Sequence, residues 1–237
     1  MRLLVLQHHA AEHPGMFREF LEADGIDWDV VQLQDGDPLP PQADHDALWV
    51  MGGPMDVWQE TRYPWLAPEK RFIREAVFTH GKPFLGCCLG HQLLAEVAGG
   101  ECRAMHQPEI GIHAVELTAA AQQDALLAGT PEHFDTLQWH GVAVTQVPPE
   151  VTILAQSPVA PIQAIRVGDH AWGLQFHIEA GADTVDEWGQ IPEYADALAQ
   201  TLGKDALATI RSDTRDRLDD LRANARRVYD NFMAAAR

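Results

Sequence analysis

Cysteine is scarce in this sequence, with three cysteines among 237 residues. Three is an odd number, so a fully paired disulfide framework is excluded. The N-terminal apolar run, residues 3–6, is too short to be the core of a secretory signal. We therefore expect reduced thiols and a cytoplasmic protein.

Cationic residues and long apolar runs are also few. Lys and Arg number 17 against 35 Asp and Glu, which gives a formal net charge of −18. Nucleic acids and anionic membrane surfaces bind basic patches, so we expect neither as a partner. No stretch approaches the ~18 apolar residues of a membrane-spanning helix.

Motifs for metals and nucleotides are missing as well. The sequence has no HExxH pattern, no Cys/His ligand spacing and no glycine-rich phosphate loop. His8, His9 and His13 form a loose N-terminal cluster that does not match a zinc site. We therefore expect neither a metal nor a cofactor.

Strand-like and helical patterns alternate over the first hundred residues. Strands are predicted at 2–8, 27–33, 45–53 and 82–88, and helices at 15–25, 64–81 and 91–100. This alternation predicts an α/β fold, whose open, mostly parallel twisted sheet carries helices on both faces.

The second half of the chain has a different pattern. Strands with short turns between them are predicted at 110–118, 142–148, 151–157, 162–168 and 171–179. From about residue 182 the pattern is helical to the end. We expect one α/β domain over residues 1–181, including antiparallel strands, and a C-terminal helical extension over 182–237 packed on that domain.

Two adjacent cysteines lie where a predicted strand meets a predicted helix, in "LGCCLGHQ" (85–92). Ligands of an open parallel sheet bind beyond the carboxyl ends of its strands. A thiol at such an end, before a helix, faces unpaired N–H groups that favour the thiolate. Cys88 is the candidate nucleophile, and Cys87, pointing the opposite way, is a packing residue.

A thiol nucleophile needs a base and an oxyanion stabiliser. In "QFHIE" (175–179), His177 and Glu179 lie two apart near a predicted strand end, so both should face one side, with the carboxylate orienting the imidazole. His140 in "QWHG" (138–141) is a rival base, but no acid lies two residues from it. The strand that ends in Gly52 and Gly53 offers an unobstructed N–H.

The cysteine motif resembles that of the class I (triad) glutamine amidotransferases. Their nucleophile pattern G-x-C-x-G-x-Q is met by Gly86, Cys88, Gly90 and Gln92. Their flavodoxin-like glutaminase fold agrees with the α/β pattern of the chain. The resemblance covers roughly residues 1–180.

Two further motifs of that family follow in the same order. Its F-H-P-E motif is met by Phe176, His177 and Glu179, with Ile178 in place of proline. Its glycine-rich oxyanion strand is met by residues 52–54. The substitution at Ile178 affects backbone stiffness rather than the chemistry of the triad.

The resemblance implies hydrolysis of the γ-carboxamide of glutamine or a γ-glutamyl compound through a Cys thioester. Cys88 would attack, His177 would transfer protons and Glu179 would orient it. The N–H groups of Gly53 and Leu89 would form the oxyanion hole.

Substrate contacts are also implied by the resemblance. They would come from Gly52, Gln92, His140 and Gly141. The loop over residues 56–68, rich in aromatic residues, could cover the pocket or pack on the sheet.

Three biological roles agree with these motifs. The chain could be a stand-alone hydrolase of the branch related to GMP synthase, or a glutaminase subunit that passes ammonia to a synthase partner. A redox-sensing or chaperone-like protein of the DJ-1 type would also use a cysteine at this position. Its thiol would be paired with an acid rather than with a His-x-Glu pair, so His177 and Glu179 favour the hydrolase.

Overall fold

Nine strands form one sheet in the computed structural model, which describes residues 1–203 and 205–237. The strands are β1 (Arg2–Gln7), β2 (Asp27–Gln32), β3 (Ala47–Val50), β4 (Phe84–Cys87), β5 (Glu101–Leu117), β6 (His133–Gln146), β7 (Val151–Gln156), β8 (Ala164–Val167) and β9 (Ala171–Leu174). Their order across the sheet is β2-β1-β3-β4-β9-β8-β7-β5-β6.

The sheet has a parallel half and an antiparallel half. Strands β2, β1, β3, β4 and β9 pair in parallel, and β9, β8, β7, β5 and β6 pair antiparallel. The α/β class is confirmed, as are the parallel sheet and its antiparallel strands. The carboxyl ends of β1, β3, β4 and β9 lie side by side, which brings distant loops together at one edge.

Helices cover both faces of the parallel half. They are α1 (Phe17–Ala23), α2 (Leu66–Arg74), α3 (Leu89–Val97), α4 (Thr184–Trp188), α5 (Pro192–Leu202), α6 (Ala206–Asp216) and α7 (Leu218–Ala235). On β3, Trp49 packs into one apolar core with residues of α1 and α7, while Val50 packs into a second core with residues of α2 and α3. Successive strand residues point to opposite faces, so one short strand serves both cores.

The long hairpin of β5 and β6 differs from the sequence prediction. Strands were expected at 110–118 and 142–148, whereas β5 begins at Glu101 and β6 at His133. The missed portion of β5 is polar and largely exposed, and its register shifts between Ala104 and Glu109, next to Pro108. The missed portion of β6 is mostly buried. Proline and an irregular register remove the period-two pattern on which strand prediction depends.

The predicted strand at 171–179 was too long. β9 ends at Leu174, and residues 175–179 form an irregular segment in which His177 pairs with Leu137 in an isolated antiparallel bridge. Residues of this segment are buried, so their apolar pattern imitates a continuing strand.

The C-terminal helices bury apolar side chains against the sheet. Tyr229 and Phe232 of α7 contact Trp49 on β3. Trp188 of α4 and Tyr194 of α5 pack around Trp139 of β6. No helix of the described residues is long and apolar enough to cross a membrane.

Candidate active site

The turn between β4 and α3 holds Cys88 in a strained backbone conformation. Its φ of 51° and ψ of −102° make it the one non-glycine residue with positive φ in the described ranges. Such strain of ~1–3 kcal/mol persists only where surrounding structure imposes it, and it clusters at functional sites. The amide of Cys88 donates to the Leu174 carbonyl (2.8 Å), which ties the turn to the end of β9.

Two glycines allow this turn to pack closely. A Cβ on Gly90 would overlap the Val50 carbonyl on β3, and a Cβ on Gly86 would overlap the backbone of Gly90. The first turn of α3 therefore lies directly on the strands. Its N-terminal N–H groups have no acceptors within the helix.

The two adjacent cysteines have different surroundings. Cys87 belongs to the apolar core beneath the sheet, with Trp49 and Phe176. Burial raises the pKa of the Cys87 thiol well above its ordinary value, and the negative charge of Glu179 adds to the effect. Cys88 lines a cavity at the edge of the sheet. Cys87 therefore packs in the core, whereas Cys88, although also buried, is the cysteine that lines the cavity.

His177 and Glu179 meet although neither lies on a strand. Nδ1 of His177 lies 2.8 Å from Oε1 of Glu179, and both side chains are buried. Nε2 of His177 has no hydrogen-bond partner among the described residues. Nδ1 is thus occupied by the carboxylate, while Nε2 is available for proton transfer.

The charge state of His177 depends on two neighbours. Burial lowers its pKa, but the Glu179 carboxylate and the Cys88 sulfur outweigh burial and raise the pKa well above its ordinary value. Trp188 packs edge-on against the imidazole, with ring centroids 4.3 Å apart. These surroundings favour the protonated form of His177.

The strand β3 leads into Gly52 and Gly53, whose surroundings are crowded. A Cβ on Gly52 would overlap the Glu12 carboxylate, and a Cβ on Gly53 would lie 3.0 Å from Cδ2 of Leu89. Gly53 lines the cavity together with Cys88 and Leu89. No protein acceptor for the Gly53 or Leu89 N–H is found within residues 1–203 and 205–237.

A cavity of about 180 Å³ opens at Cys88. This volume is below the ~300 Å³ at which sites for drug-sized ligands begin, so the cavity suits an amino-acid side chain. Its walls are built from the segment after β3, the start of α3, β5, β6 and α5: Gly53, Pro54, Met55, Asp56, Cys88, Leu89, Gln92, Pro108, Ile110, Trp139, His140, Gly141, Val142, Glu193, Tyr194 and Ala197.

Three of the predicted substrate contacts lie on this wall, namely Gln92, His140 and Gly141. The fourth, Gly52, is not among the lining residues, because its carbonyl faces the protein interior and accepts a hydrogen bond from His8. Nε2 of Gln92 donates to the Val142 carbonyl (3.2 Å), which fixes the side chain.

The rival base His140 has both ring nitrogens engaged. Nδ1 lies 2.9 Å from the Val142 carbonyl, and Nε2 lies 3.1 Å from Oε2 of Glu109. The sequence offered no acid near His140, because Glu109 lies on the neighbouring strand β5. Because neither ring nitrogen is free, His140 forms part of the cavity wall and is not available for proton transfer.

Sequence analysis missed a carboxylate–phenol pair at the site. The hydroxyl of Tyr194, on α5, donates to Oε1 of Glu12, which is 1 % exposed and lies behind Gly52. Burial raises the pKa of Glu12, and it raises the pKa of Tyr194 well above its ordinary value. No local motif marks either residue, since they are 182 positions apart.

The three N-terminal histidines diverge in the fold. His8 contacts Glu69 (2.8 Å), His13 contacts Glu187 (3.0 Å), and Nδ1 of His9 accepts from the amide of Ala11. Among the described residues, no group of three or more His, Cys, Asp and Glu side chains is arranged to hold a metal ion.

Comparison with known proteins identifies the family. The family model for class-I glutamine amidotransferases matches residues 16–187. The chain belongs to this family. Membership implies a glutamine amidotransferase-type enzyme and supports hydrolysis of a glutamine amide.

Curated relatives include a protein of similar length. The chain is 31% identical over 210 residues to the glutamine amidotransferase-like protein YfeJ of Salmonella typhimurium, covering 86% of this chain and 85% of YfeJ. It is 33% identical over 179 residues to the glutamine-hydrolyzing GMP synthase of Aeropyrum pernix, covering 73% of this chain. The match spans only 31% of that synthase.

Solved structures match along nearly the whole chain. A glutamine amidotransferase from Thermotoga maritima superposes with a TM-score of 0.87 and 27% identity, covering 98% of this chain and 97% of the other. A glutamine amidotransferase from Methylobacillus flagellatus gives 0.87 and 30%, covering 99% and 94%. The C-terminal helices are therefore within the shared fold.

Proposed function

We propose that this protein hydrolyses the γ-carboxamide of glutamine or of a γ-glutamyl compound through a thioester on Cys88. The observation that carries the proposal is the His177–Glu179 contact of 2.8 Å, with Nε2 of His177 unpartnered beside the strained turn that holds Cys88. A base held by an acid on one nitrogen, with the other free for a nucleophile, is the arrangement of a catalytic triad.

The first half of the reaction forms the thioester. The Cys88 thiolate attacks the amide carbon, and the N–H groups of Gly53 and Leu89 hold the oxyanion of the tetrahedral intermediate. The His177 imidazolium then donates its Nε2 proton to the departing nitrogen, so that ammonia or an amine leaves and a γ-glutamyl thioester remains.

The second half releases glutamate. Neutral His177 takes a proton from water, the resulting hydroxide attacks the thioester carbonyl, and the Cys88 thiolate leaves. Glu179 keeps Nδ1 of His177 protonated throughout, which leaves Nε2 to carry the moving proton. Gln92, His140 and Gly141 form the wall against which the glutamyl group lies, and no cofactor takes part.

We favour a stand-alone enzyme over a glutaminase subunit. The match to YfeJ covers 85% of YfeJ, which supports this view. The match to the GMP synthase covers only 31% of that synthase, so the synthase has a long portion that this chain does not match. A synthase partner that accepts ammonia remains the second candidate, because the same chain matches those synthases over most of its own length. A DJ-1-type redox sensor is disfavoured by the hydrogen bond between His177 and Glu179.

The thioester can be detected directly. The protein is mixed with glutamine or γ-glutamyl-p-nitroanilide, quenched in acid at short times, digested, and analysed by mass spectrometry. We expect a γ-glutamyl adduct on the peptide that contains Cys88 and none in the Cys88→Ala variant. An adduct on Cys87 would contradict the mechanism. So would turnover in the wild type without any adduct, together with full activity in Cys88→Ala.

A further inference from the structure

A buried histidine–carboxylate pair lies directly behind the candidate oxyanion strand. Nδ1 of His8, at the end of β1, is 2.7 Å from the Gly52 carbonyl oxygen. Nε2 of His8 is 2.8 Å from Oε1 of Glu69 on α2. Both side chains are fully buried, and the ring of Trp65 stacks on His8 with centroids 5.4 Å apart.

These contacts fix the protonation of His8. A backbone carbonyl only accepts, so Nδ1 must carry a proton, and a carboxylate on the other side calls for a second proton at Nε2. Burial lowers the pKa of His8, but the charge and hydrogen bond of Glu69 outweigh it and raise the pKa. His8 therefore donates its Nδ1 proton to the Gly52 carbonyl, and its raised pKa favours a second proton at Nε2 beside Glu69.

The pair determines how the Gly52–Gly53 peptide is oriented. In a trans peptide, the carbonyl of one residue and the N–H of the next point in opposite directions. The Gly52 carbonyl points towards the interior, at His8. The N–H of Gly53 therefore points the other way, towards the cavity that Gly53 lines with Cys88 and Leu89.

Without such a contact, this peptide would be free to turn over. Two consecutive glycines have access to both signs of φ at little steric cost, so a Gly-Gly peptide flips readily. A flipped peptide would present a carbonyl oxygen, instead of an N–H, to the oxyanion. A buried ion pair is in itself weak support for stability, so its presence behind this peptide calls for another explanation.

We propose that His8, held by Glu69, is a positioning residue that locks the Gly52–Gly53 peptide and keeps the oxyanion hole formed in the isolated chain. This inference rests on the proposed function for its catalytic consequence. The orientation of the peptide itself does not depend on which substrate is hydrolysed. Because the lock is built from β1 and α2 of the same chain, no partner protein is needed to form the hole.

Three variants separate the parts of the lock. His8→Ala removes the donor to Gly52. His8→Asn retains a donor, since the side-chain amide nitrogen of Asn takes the place of Nδ1. Glu69→Gln keeps a polar side chain in contact with Nε2 of His8 but removes the negative charge of Glu69. His45→Ala is the matched control, because His45 forms a similar pair with Asp29 (2.8 Å) ahead of β3, away from the carboxyl ends of the strands.

Two reactions at Cys88 are then compared. Hydrolysis of γ-glutamyl-p-nitroanilide passes through an oxyanion, whereas alkylation by iodoacetamide is a displacement that forms none. Loss of one oxyanion donor lowers turnover ~10²–10³-fold, so we expect kcat of His8→Ala to fall towards that range. Its KM and the rate of Cys88 alkylation should stay near wild type, and His8→Asn should recover most of the lost turnover.

A merely structural role for His8 would give a different pattern. Disturbed packing would slow alkylation and hydrolysis together, and His8→Asn would not rescue turnover. Either result would overturn the proposal. Equal turnover in His8→Ala and His45→Ala would do the same. Glu69→Gln should keep most of the activity, because the amide can still hold the ring with Nδ1 towards Gly52.

Crystal structures of the wild type and His8→Ala give a readout that needs no turnover. We expect the Gly53 N–H to face Cys88 in the wild type and the Gly52–Gly53 peptide to be reversed or to adopt two orientations in His8→Ala. A single, unchanged orientation in the variant would refute the lock. If the wild type hydrolyses no amide, the proposed function fails, and these two structures still decide whether His8 orients the peptide.

Discussion

Replacing Glu179 by Gln removes the charge that holds the candidate base while keeping its shape. The contact with Nδ1 of His177 is 2.8 Å long, and both side chains are almost fully buried, so water does not screen the loss. A hydrogen bond to a charged group contributes about 1.5–3 kcal/mol. At ~1.4 kcal/mol per factor of ten, this amounts to a roughly 10- to 100-fold lower kcat/KM.

The same variant should change the pH dependence. In the wild type, Glu179 and Cys88 raise the pKa of His177 against the effect of burial. The imidazolium that protonates the leaving group therefore persists to higher pH. Without the Glu179 charge it loses its proton earlier, so the alkaline limb of the kcat/KM profile should move to lower pH.

The free energy of unfolding should also depend on pH through His177. A raised pKa means that protonation of His177 favours the folded state. This contribution is complete below the pKa of the unfolded chain, about 6.5 for histidine, and is lost as pH rises through the folded pKa. Glu179→Gln should therefore weaken the alkaline decline in the free energy of unfolding that wild type shows.

The assay measures kcat/KM for γ-glutamyl-p-nitroanilide from acid to alkaline pH, with urea unfolding at matched pH values. His177→Ala is the reference, since it removes general acid–base transfer worth ~10²–10⁴-fold. We expect Glu179→Gln to lose less than His177→Ala. Equal losses of kcat/KM in the two variants would mean that Glu179 does more than orient His177. An alkaline limb of the kcat/KM profile that does not shift in Glu179→Gln would refute the electrostatic reasoning.

Other substitutions test the thiol, the turn and the cover of the cavity. Cys88→Ala should abolish turnover without lowering the melting temperature appreciably, whereas Cys87→Ala should retain substantial activity; a folded but inactive Cys87→Ala would overturn the assignment of the nucleophile. Gly90→Ala should destabilise the protein by about 1–3 kcal/mol in urea unfolding, because the added methyl group overlaps a carbonyl of β3. Unchanged stability would contradict that packing. Tyr194→Phe leaves the buried Glu12 side chain without its hydroxyl donor. It should lower stability by about 1–3 kcal/mol in urea unfolding, and unchanged stability would contradict this contact.

The parts of the fold and site that local sequence encodes could be predicted. The short apolar runs of β1, β3 and β4 and the glycines around Cys88 are local patterns, and they predicted the α/β class and the turn that holds Cys88. The His-x-Glu spacing predicted the contact between His177 and Glu179. The two side chains meet although residues 178 and 179 form a turn instead of the extended backbone on which the prediction was based.

The remainder depends on contacts between distant segments. Glu12 meets Tyr194 across 182 positions, and His8 meets Glu69 across 61. No pattern within a window of sequence specifies such pairs, since they are set by how helices dock on the sheet. His8 was considered only as a metal ligand for this reason, while the structure surrounds it with a carboxylate, a backbone carbonyl and an indole ring.

The most direct test of the account is glutamate release by the isolated protein. Glutamine and a panel of γ-glutamyl peptides and amines are each incubated with the wild type, with Cys88→Ala as blank. We expect glutamate release that depends on Cys88, with no added partner, from at least one member of the panel. Glutamate release that persists in Cys88→Ala would contradict a self-sufficient γ-glutamyl hydrolase. The same conclusion would follow if no substrate gave glutamate although Cys88 reacted normally with iodoacetamide.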